Sequence, residues 1–156
     1  MAIESLAAAL EREHREIDEG IEAFTSGLAA GQSRPEPLTR AMYALRRHIY
    51  LEEEFLFPPL REAGLMAPVF VMLREHGQMW KTMDALHLEL NSGEIDDASA
   101  LKICHELMVQ LQHHNLKEEK ILYAQAEQIL TASASAELKA FLDSGQLPEG
   151  WICERG

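Results

Sequence analysis

Two stretches of the sequence repeat one arrangement of histidine and glutamate. HIYLEEEFLFPPL begins at His48, and HNLKEEKILYAQA begins sixty-six residues later at His114. In both, a glutamate follows the histidine by four residues, at Glu52 and Glu118, and a second glutamate comes next. Residues four apart lie on one face of an α-helix, one turn from each other. Each stretch therefore predicts an imidazole and a carboxylate that point to the same place, a combination suited to bind a metal ion.

Two further histidines, His14 and His76, lie on apolar stripes of helical spacing. Residue counts from the connecting turns, at about 1.5 Å per residue, place them in the same layer as the repeated pairs. One histidine on such a stripe is typically an ordinary core residue, but four at one depth favour a site. Buried carboxylates are costly unless they are paired or bind a metal. We predict a metal site with these ligands: His14, His48, Glu52, His76, His114 and Glu118.

The number of these side chains favours two metal ions. Four histidines and two glutamates exceed the four ligands that a tetrahedral zinc site requires. Imidazole together with carboxylate suits iron or manganese, and zinc stays an alternative. If each glutamate bridges both ions, each ion receives two imidazoles and two carboxylate oxygens, with room for a bridging oxide, hydroxide or water. The prediction from the residues is a dinuclear metal centre with an open position for O2, peroxide or NO.

The elements that must carry these residues are four long helices. Apolar residues at a spacing of three and four predict helices over residues 6–28, 38–63, 69–90 and 101–122. Short turns between them imply that neighbouring helices are antiparallel. The predicted fold is all-α, an up-down-up-down four-helix bundle with a short C-terminal fifth helix near residues 135–142.

Breaker and capping residues give the boundaries of these elements. Gly31 should end the first helix, and Pro58 with Pro59 should bend the second near its end. Asp96 or Asp97 should cap the fourth helix. We expect the bundle domain to span residues 1–132, with the short helix and an irregular tail over 133–156.

The composition restricts the class of partner. The chain has 156 residues and a formal net charge of −12, which argues against nucleic acid and anionic membranes because phosphate binding needs clustered lysine and arginine. No apolar run approaches the ~20 residues of a membrane-spanning helix. Cys104 and Cys153 form no CxxC pair, so we expect a cytoplasmic protein. Cys104 should lie in the core, and Cys153 is a candidate exposed thiol in the tail.

The six predicted ligands, taken in order with their spacing, resemble the hemerythrin-like, or HHE cation-binding, domain over roughly residues 1–130. The resemblance implies a four-helix bundle around a non-haem di-iron site bridged by the two carboxylates. Oxygen carriers of that family have a second histidine on the third helix and an aspartate on the fourth. This chain has Met72 and Trp80 at the spacing of that histidine, and Glu118 in place of the aspartate. A dedicated reversible O2 carrier is therefore not expected.

Three kinds of function stay open on these observations. Relatives of this type are associated with O2 binding or sensing, iron handling, peroxide breakdown and repair of nitrosatively damaged iron centres. An enzyme of this kind would decompose peroxide or act as an oxidase, whereas a binding protein would bind or sense O2 or NO. The third alternative is a metal-free helical module that binds an unidentified protein, with the six residues as a buried polar network.

Other polar residues lie near the predicted layer. Asp18, four residues after His14, is a candidate extra ligand or imidazole partner, or else an ordinary exposed acid. Three glutamates fall off the apolar stripes and are expected to face water or basic residues: Glu53, Glu54 and Glu119. Two tyrosines are expected to pack in preference to bonding near the metals: Tyr50 and Tyr123. Three histidines are expected at the surface: His87, His105 and His113.

Overall fold

The structure, a computed structural model, describes residues 4–156, and all regular structure in that range is helical. The elements are α1 (Leu6–Ala29), α2 (Glu36–Leu51), the π-helical turn π1 (Glu52–Leu56), α3 (Phe57–Glu62), α4 (Met66–Leu90), α5 (Asp97–Lys117), the π-helical turn π2 (Glu118–Leu122), α6 (Tyr123–Ile129) and α7 (Ala132–Ser144). Within the described range, no helix has both the length and the apolar character needed to cross a membrane. The all-α prediction is confirmed.

Four rods form the bundle. The first is α1, the second runs from α2 through π1 into α3, the third is α4, and the fourth runs from α5 through π2 into α6. α1 packs along α2 and α5, while α4 packs along α5 and contacts α2. Because the turns between the rods are short, consecutive rods run in opposite directions, as predicted.

The local sequence of α1 explains how such a rod begins and ends. The Ser5 hydroxyl accepts a hydrogen bond from the Ala8 N–H and caps the first turn. Gly31, just beyond the helix, has a φ of 75°, a conformation that glycine adopts without steric cost. The buried residues follow a spacing of three and four: Leu6, Leu10, His14, Ile17, Ile21 and Phe24. A histidine therefore stands in the middle of an otherwise apolar face.

The apolar interior is divided into two clusters. The hairpin core lies towards the α1–α2 and α4–α5 turns and includes Ile17, Phe24, Leu45, Met83 and Leu107. The α7 core lies at the opposite end and includes Leu10, Leu56, Leu73, Leu122 and Leu138. Along α1, Leu10 belongs to one core and Ile17 to the other, so His14 lies in the layer between them.

Both rods with the repeated sequence contain a π-helical turn. The Phe57 N–H donates to the Glu52 carbonyl, five residues back, and the Tyr123 N–H donates to the Glu118 carbonyl. The sequence predicted one helix over residues 38–63 with a bend at its prolines. Instead, π1 interrupts the helix just before Pro58, which lies in the first turn of α3. Proline has no N–H to continue an α-helical ladder, so a change of pattern there is physically reasonable.

The fifth helix, α7, packs on the outside of the bundle. It is longer than the predicted 135–142, because the Thr131 side chain caps its start by accepting a hydrogen bond from the Ala134 N–H. Arg47 of α2 holds its other end, donating to three carbonyl oxygens: those of Phe141, Leu142 and Gly145. The division into domains at residue 132 stays a prediction.

The sequence predicted the burial of one cysteine correctly and that of the other wrongly. Cys104 is buried in the hairpin core, as expected. Cys153 is only 3% exposed, so the expectation of an exposed thiol is wrong. The irregular tail folds onto the bundle and covers this side chain, which packs against the hairpin core.

Candidate metal centre

The six residues predicted as ligands meet in the layer between the two apolar cores. None of them is more than 3% exposed. Their donor atoms form two groups of four, and within each group all atoms lie within 4.8 Å of one another. The first half-site contains His14, His48, Glu52 and Glu118. The second half-site contains Glu52, His76, His114 and Glu118.

In the first half-site the two histidines turn their Nε2 atoms towards each other, 3.1 Å apart. Glu118 Oε1 lies 3.2 Å from His14 Nε2, and Glu52 Oε2 lies 3.4 Å from His48 Nε2. Donor atoms bound at about 2.0–2.2 Å to one ion are about 3 Å apart when their bonds are at right angles. The observed spacings therefore fit one metal ion.

The second half-site uses the other oxygen of each glutamate. Glu52 Oε1 lies 3.0 Å from His76 Nε2, and Glu118 Oε2 lies 3.2 Å from His114 Nε2. Glu118 Oε2 is completely buried and accepts no hydrogen bond, an arrangement that is costly for a carboxylate oxygen unless a cation neutralises it. Each glutamate thus contributes one oxygen to each half-site, which is the arrangement that bridging carboxylates require.

Each of the four histidines is held from outside by a further glutamate. Their Nδ1 atoms lie 2.7–2.9 Å from carboxylate oxygens in these pairs: His14 with Glu119, His48 with Glu13, His76 with Glu53, and His114 with Glu75. A carboxylate at Nδ1 fixes the proton there and leaves Nε2 free to bind a metal. All four imidazoles are therefore oriented before any ion binds.

The outer glutamates correct an expectation about exposure that was drawn from the sequence. Glu53 was expected to face water or basic residues, and that is wrong because its side chain is buried against His76. Glu119 is partly exposed, as expected, but also contacts His14; Glu54 is exposed. The sequence does contain a signal for the set. Glu13 and Glu75 directly precede His14 and His76, and the other two directly follow Glu52 and Glu118.

Tyr123 is the main site residue whose role the sequence did not predict. Its hydroxyl donates to Glu52 Oε2 at 2.6 Å and lies 3.0 Å from Nε2 of both His14 and His48. Hydrogen bonding near the predicted ligands, the less favoured of the two roles that the sequence allowed for this ring, is therefore the one observed. The corresponding position in the second half-site is Phe57, whose ring stacks on His76 with centroids 5.4 Å apart. The first half-site thus has a phenol where the second has only a hydrocarbon ring.

The protonation of the layer follows from burial and charge together. Burial lowers the pKa of His114, but the Glu118 and Glu75 carboxylates outweigh burial and raise that pKa to about 10. Burial is likewise overcome at His48, where Glu52 and Glu13 raise the pKa well above its usual value. Burial raises the pKa of Tyr123, and the Glu118 and Glu52 charges raise it further. The carboxylates around His48 and His114 therefore favour the protonated form of these two imidazoles.

The remaining predicted residues lie outside the two half-sites. Asp18 belongs to neither group of donor atoms; it lines a groove beside His14, and burial raises its pKa. Tyr50 packs against Phe55, Phe141 and Trp151, as expected. The three histidines expected at the surface are all exposed: His87, His105 and His113.

Comparison with protein families gives one match. The family model described as the hemerythrin HHE cation binding domain matches residues 5–126, from the cap of α1 into α6. No similar curated protein and no similar solved structure was found. The matched range contains all six predicted ligands, the four outer glutamates and Tyr123.

Proposed function

Because the chain belongs to the hemerythrin HHE cation-binding domain family, we propose that it binds two iron ions and uses them to bind or react with O2, peroxide or NO. The proposed ligands are His14, His48, Glu52, His76, His114 and Glu118. The observation that carries the proposal is the pair of four-donor half-sites, each of which receives one oxygen from each of the two buried glutamates. Two separate ions satisfy that arrangement better than one.

The charge of the layer supports two divalent ions. Six carboxylates lie in it, counting the two shared glutamates and the four outer ones. Arg47 pairs with Glu13 and Lys117 pairs with Glu75, which leaves four negative charges if the imidazoles are neutral. Two divalent ions neutralise that charge, and the imidazole and carboxylate donors suit iron, with manganese as the nearest alternative.

A pair of ferrous ions supplies two electrons, the number that reduces hydrogen peroxide to water. The chain itself supplies orientation, exclusion of water and a proton. The outer glutamates hold the imidazoles in one tautomer, and the two apolar cores seal the layer from both ends. The Tyr123 hydroxyl lies among the donors of the first half-site and is the nearest group that could donate a proton to a small molecule there.

The first test is the metal content of protein produced with iron supplied, measured by elemental mass spectrometry. About two irons per chain is the expected result. One tightly bound zinc would mean a mononuclear site and would contradict the bridging roles of Glu52 and Glu118. If no metal binds even after reconstitution with ferrous iron, the layer is a polar network and the chain is a metal-free interaction module.

The second test separates a binding protein from an enzyme. A reversible O2 or NO complex, visible in the absorption spectrum of the iron-loaded protein, is expected of a carrier or sensor. Sustained consumption of hydrogen peroxide with release of O2 is expected of an enzyme. Glu13→Gln leaves the six proposed ligands unchanged and alters only the contacts of this outer carboxylate with His48 and Arg47.

A further inference from the structure

The two halves of the bundle correspond residue by residue. α1 and α2 carry His14 and His48, while α4 and α5 carry His76 and His114. Equivalent ligands are 62 residues apart between α1 and α4, and 66 residues apart between α2 and α5. These two offsets give each residue beside one half-site a counterpart beside the other.

An open groove of about 450 Å³ lies between α1 and α5. It is lined by His14 and by Glu119, the carboxylate that holds the Nδ1 atom of the His14 ring. Arg15, Asp18 and Asn115 also line it. The groove therefore connects the surface with the outer side of the first half-site.

The equivalent place between α2 and α4 is filled by the C-terminal tail. The Trp151 ring lies 5.1 Å from Tyr50 and 5.5 Å from Trp80, measured between centroids. Trp80 is the counterpart of Asp18 in the open groove. The backbone N–H of Glu154 donates to Glu53 Oε1 at 3.0 Å, so the tail also contacts the carboxylate that holds His76.

Gly77 makes this close approach of the tail possible. A Cβ atom at Gly77 would lie 2.6 Å from the backbone oxygen of Arg155, which is too close for any side chain. The counterpart of Gly77 beside the open groove is Arg15, a long charged residue. The tail fits one of the two grooves because the residues after His76 and after His14 differ in size.

The open groove also differs in polarity from its filled counterpart. Asn115 lines the groove and is 8% exposed, whereas its counterpart, Ile49, is fully buried and apolar. The side-chain amide of Asn115 therefore offers a donor and an acceptor to a small polar molecule in the groove.

We propose that the α1–α5 groove is the entrance through which a small, uncharged, protic molecule reaches the metal centre, and that hydrogen peroxide is that molecule. The inference rests on the proposed function. Three carboxylates, those of Asp18, Glu22 and Glu119, face a single guanidinium, that of Arg15, so small anions are disfavoured. Hydrogen peroxide can both donate to and accept from the Asn115 amide, whereas O2 and NO gain little from it.

The test narrows the open groove by one substitution and compares that variant with one that carries the same change beside the filled groove. Val109→Trp places a large ring in the groove wall, and Tyr43→Trp makes the same change at the equivalent position of α2. Both side chains are about half exposed, so neither change should unfold the bundle. The measured quantity is the second-order rate constant for hydrogen peroxide with the iron-loaded protein, followed by stopped-flow absorption.

We expect Val109→Trp to lower this rate constant by about tenfold or more, because it obstructs association. Tyr43→Trp should change it by less than about twofold, as an exposed substitution. Equal rate constants in the two variants, with iron content unchanged, would overturn the entrance while leaving the proposed function intact. Failure of the wild-type protein to hold iron would overturn both.

Asn115→Leu tests the selection of the molecule. It should lower the rate constant for hydrogen peroxide while leaving the association of NO with the ferrous protein unchanged; equal slowing of both reactions would overturn the selection.

A second measurement of the groove needs no metal. Water should show NMR cross-relaxation with the Asn115 side-chain amide in the metal-free wild type, and this signal should be lost in Val109→Trp but kept in Tyr43→Trp. No water contact in the wild type would contradict the groove as an entrance.

Discussion

The two half-sites have the same donors and different surroundings. Each has two histidines, one oxygen from each shared glutamate, and outer carboxylates at both Nδ1 atoms. Beside the first lie the Tyr123 hydroxyl and an open groove, whereas beside the second lie the Phe57 ring and the C-terminal tail. Equal ligands therefore do not make equal sites. The half-sites differ in the ring that lies beside the donor atoms and in whether a groove or the tail covers their outer side.

The largest effect is expected from removing a shared ligand. Glu52→Ala removes one oxygen from each half-site, so the iron content should fall from about two ions per chain to near zero. His14→Ala removes a donor from the first half-site alone and should retain more metal. Elemental analysis of both variants, with His87→Ala as the control, distinguishes the cases. Equal loss of metal in all three variants would contradict the site.

The metal-free protein should lose stability as the pH rises. A folded-state pKa of about 10 for His114, above its ordinary value of 6.5, means that the folded state holds this proton more tightly than the unfolded state. That contribution is fully present below pH 6.5 and is lost as the pH rises towards 10. Urea unfolding between pH 6 and pH 10 measures it. Iron-loaded protein should lack this decline, since the ions replace the protons.

The outer glutamates of the two half-sites are expected to differ in how much each contributes to metal affinity. Glu75 lies between His114 and Lys117, and although partial burial raises its pKa, these two partners lower it to about 2. Loss of an outer carboxylate typically weakens metal binding by about 10–100-fold. Glu75→Gln should fall in that range, and Glu119→Gln should cost less because Glu119 is 36% exposed and water can replace it. Competition with a chelator gives both affinities.

The smallest effect is expected from exchanging the two rings. Tyr123→Phe removes the donor to Glu52 and should destabilise the metal-free protein by about 1–3 kcal/mol, the usual cost of an unpaired buried group. Phe57→Tyr adds a hydroxyl on the other side and tests whether the second half-site can accept one. Urea unfolding of both variants measures the difference. If Tyr123→Phe were as stable as the wild type, the hydroxyl would have no structural part in the layer.

The sequence predicted the fold and the six residues of the layer, because both depend on the α-helical period. His48 with Glu52, and His114 with Glu118, are each four residues apart within or at the edge of an α-helix. The same period failed for Tyr123, five residues after Glu118. An α-helix turns that residue away, whereas in the π turn the Tyr123 N–H bonds to the Glu118 carbonyl, five residues back, and this brings Tyr123 over the same face as Glu118.

The position of the tail could not be predicted from its composition. Its glycines and prolines indicated irregular structure, which is correct, but its burial depends on Gly77 and Trp80, more than seventy residues earlier in the chain. Glu13 and Glu75 were missed for a different reason. A Glu-His pair occurs twice in the sequence, as does a glutamate four residues after a histidine. However, Glu13 contacts His48 and Glu75 contacts His114, each on a different rod, so these contacts can be recognised only in the folded structure.

The division of the interior has a consequence for cooperativity. Apart from the contacts of Tyr50 with Trp151 and Phe141, the hairpin core and the α7 core are joined through the polar layer, so the coupling between the two ends of the molecule depends largely on what holds that layer together. Two ions that cross-link all four rods would make the ends melt as one unit. Without them, calorimetric and van 't Hoff enthalpies should diverge, with the α7 end and the hairpin end losing their structure at different temperatures.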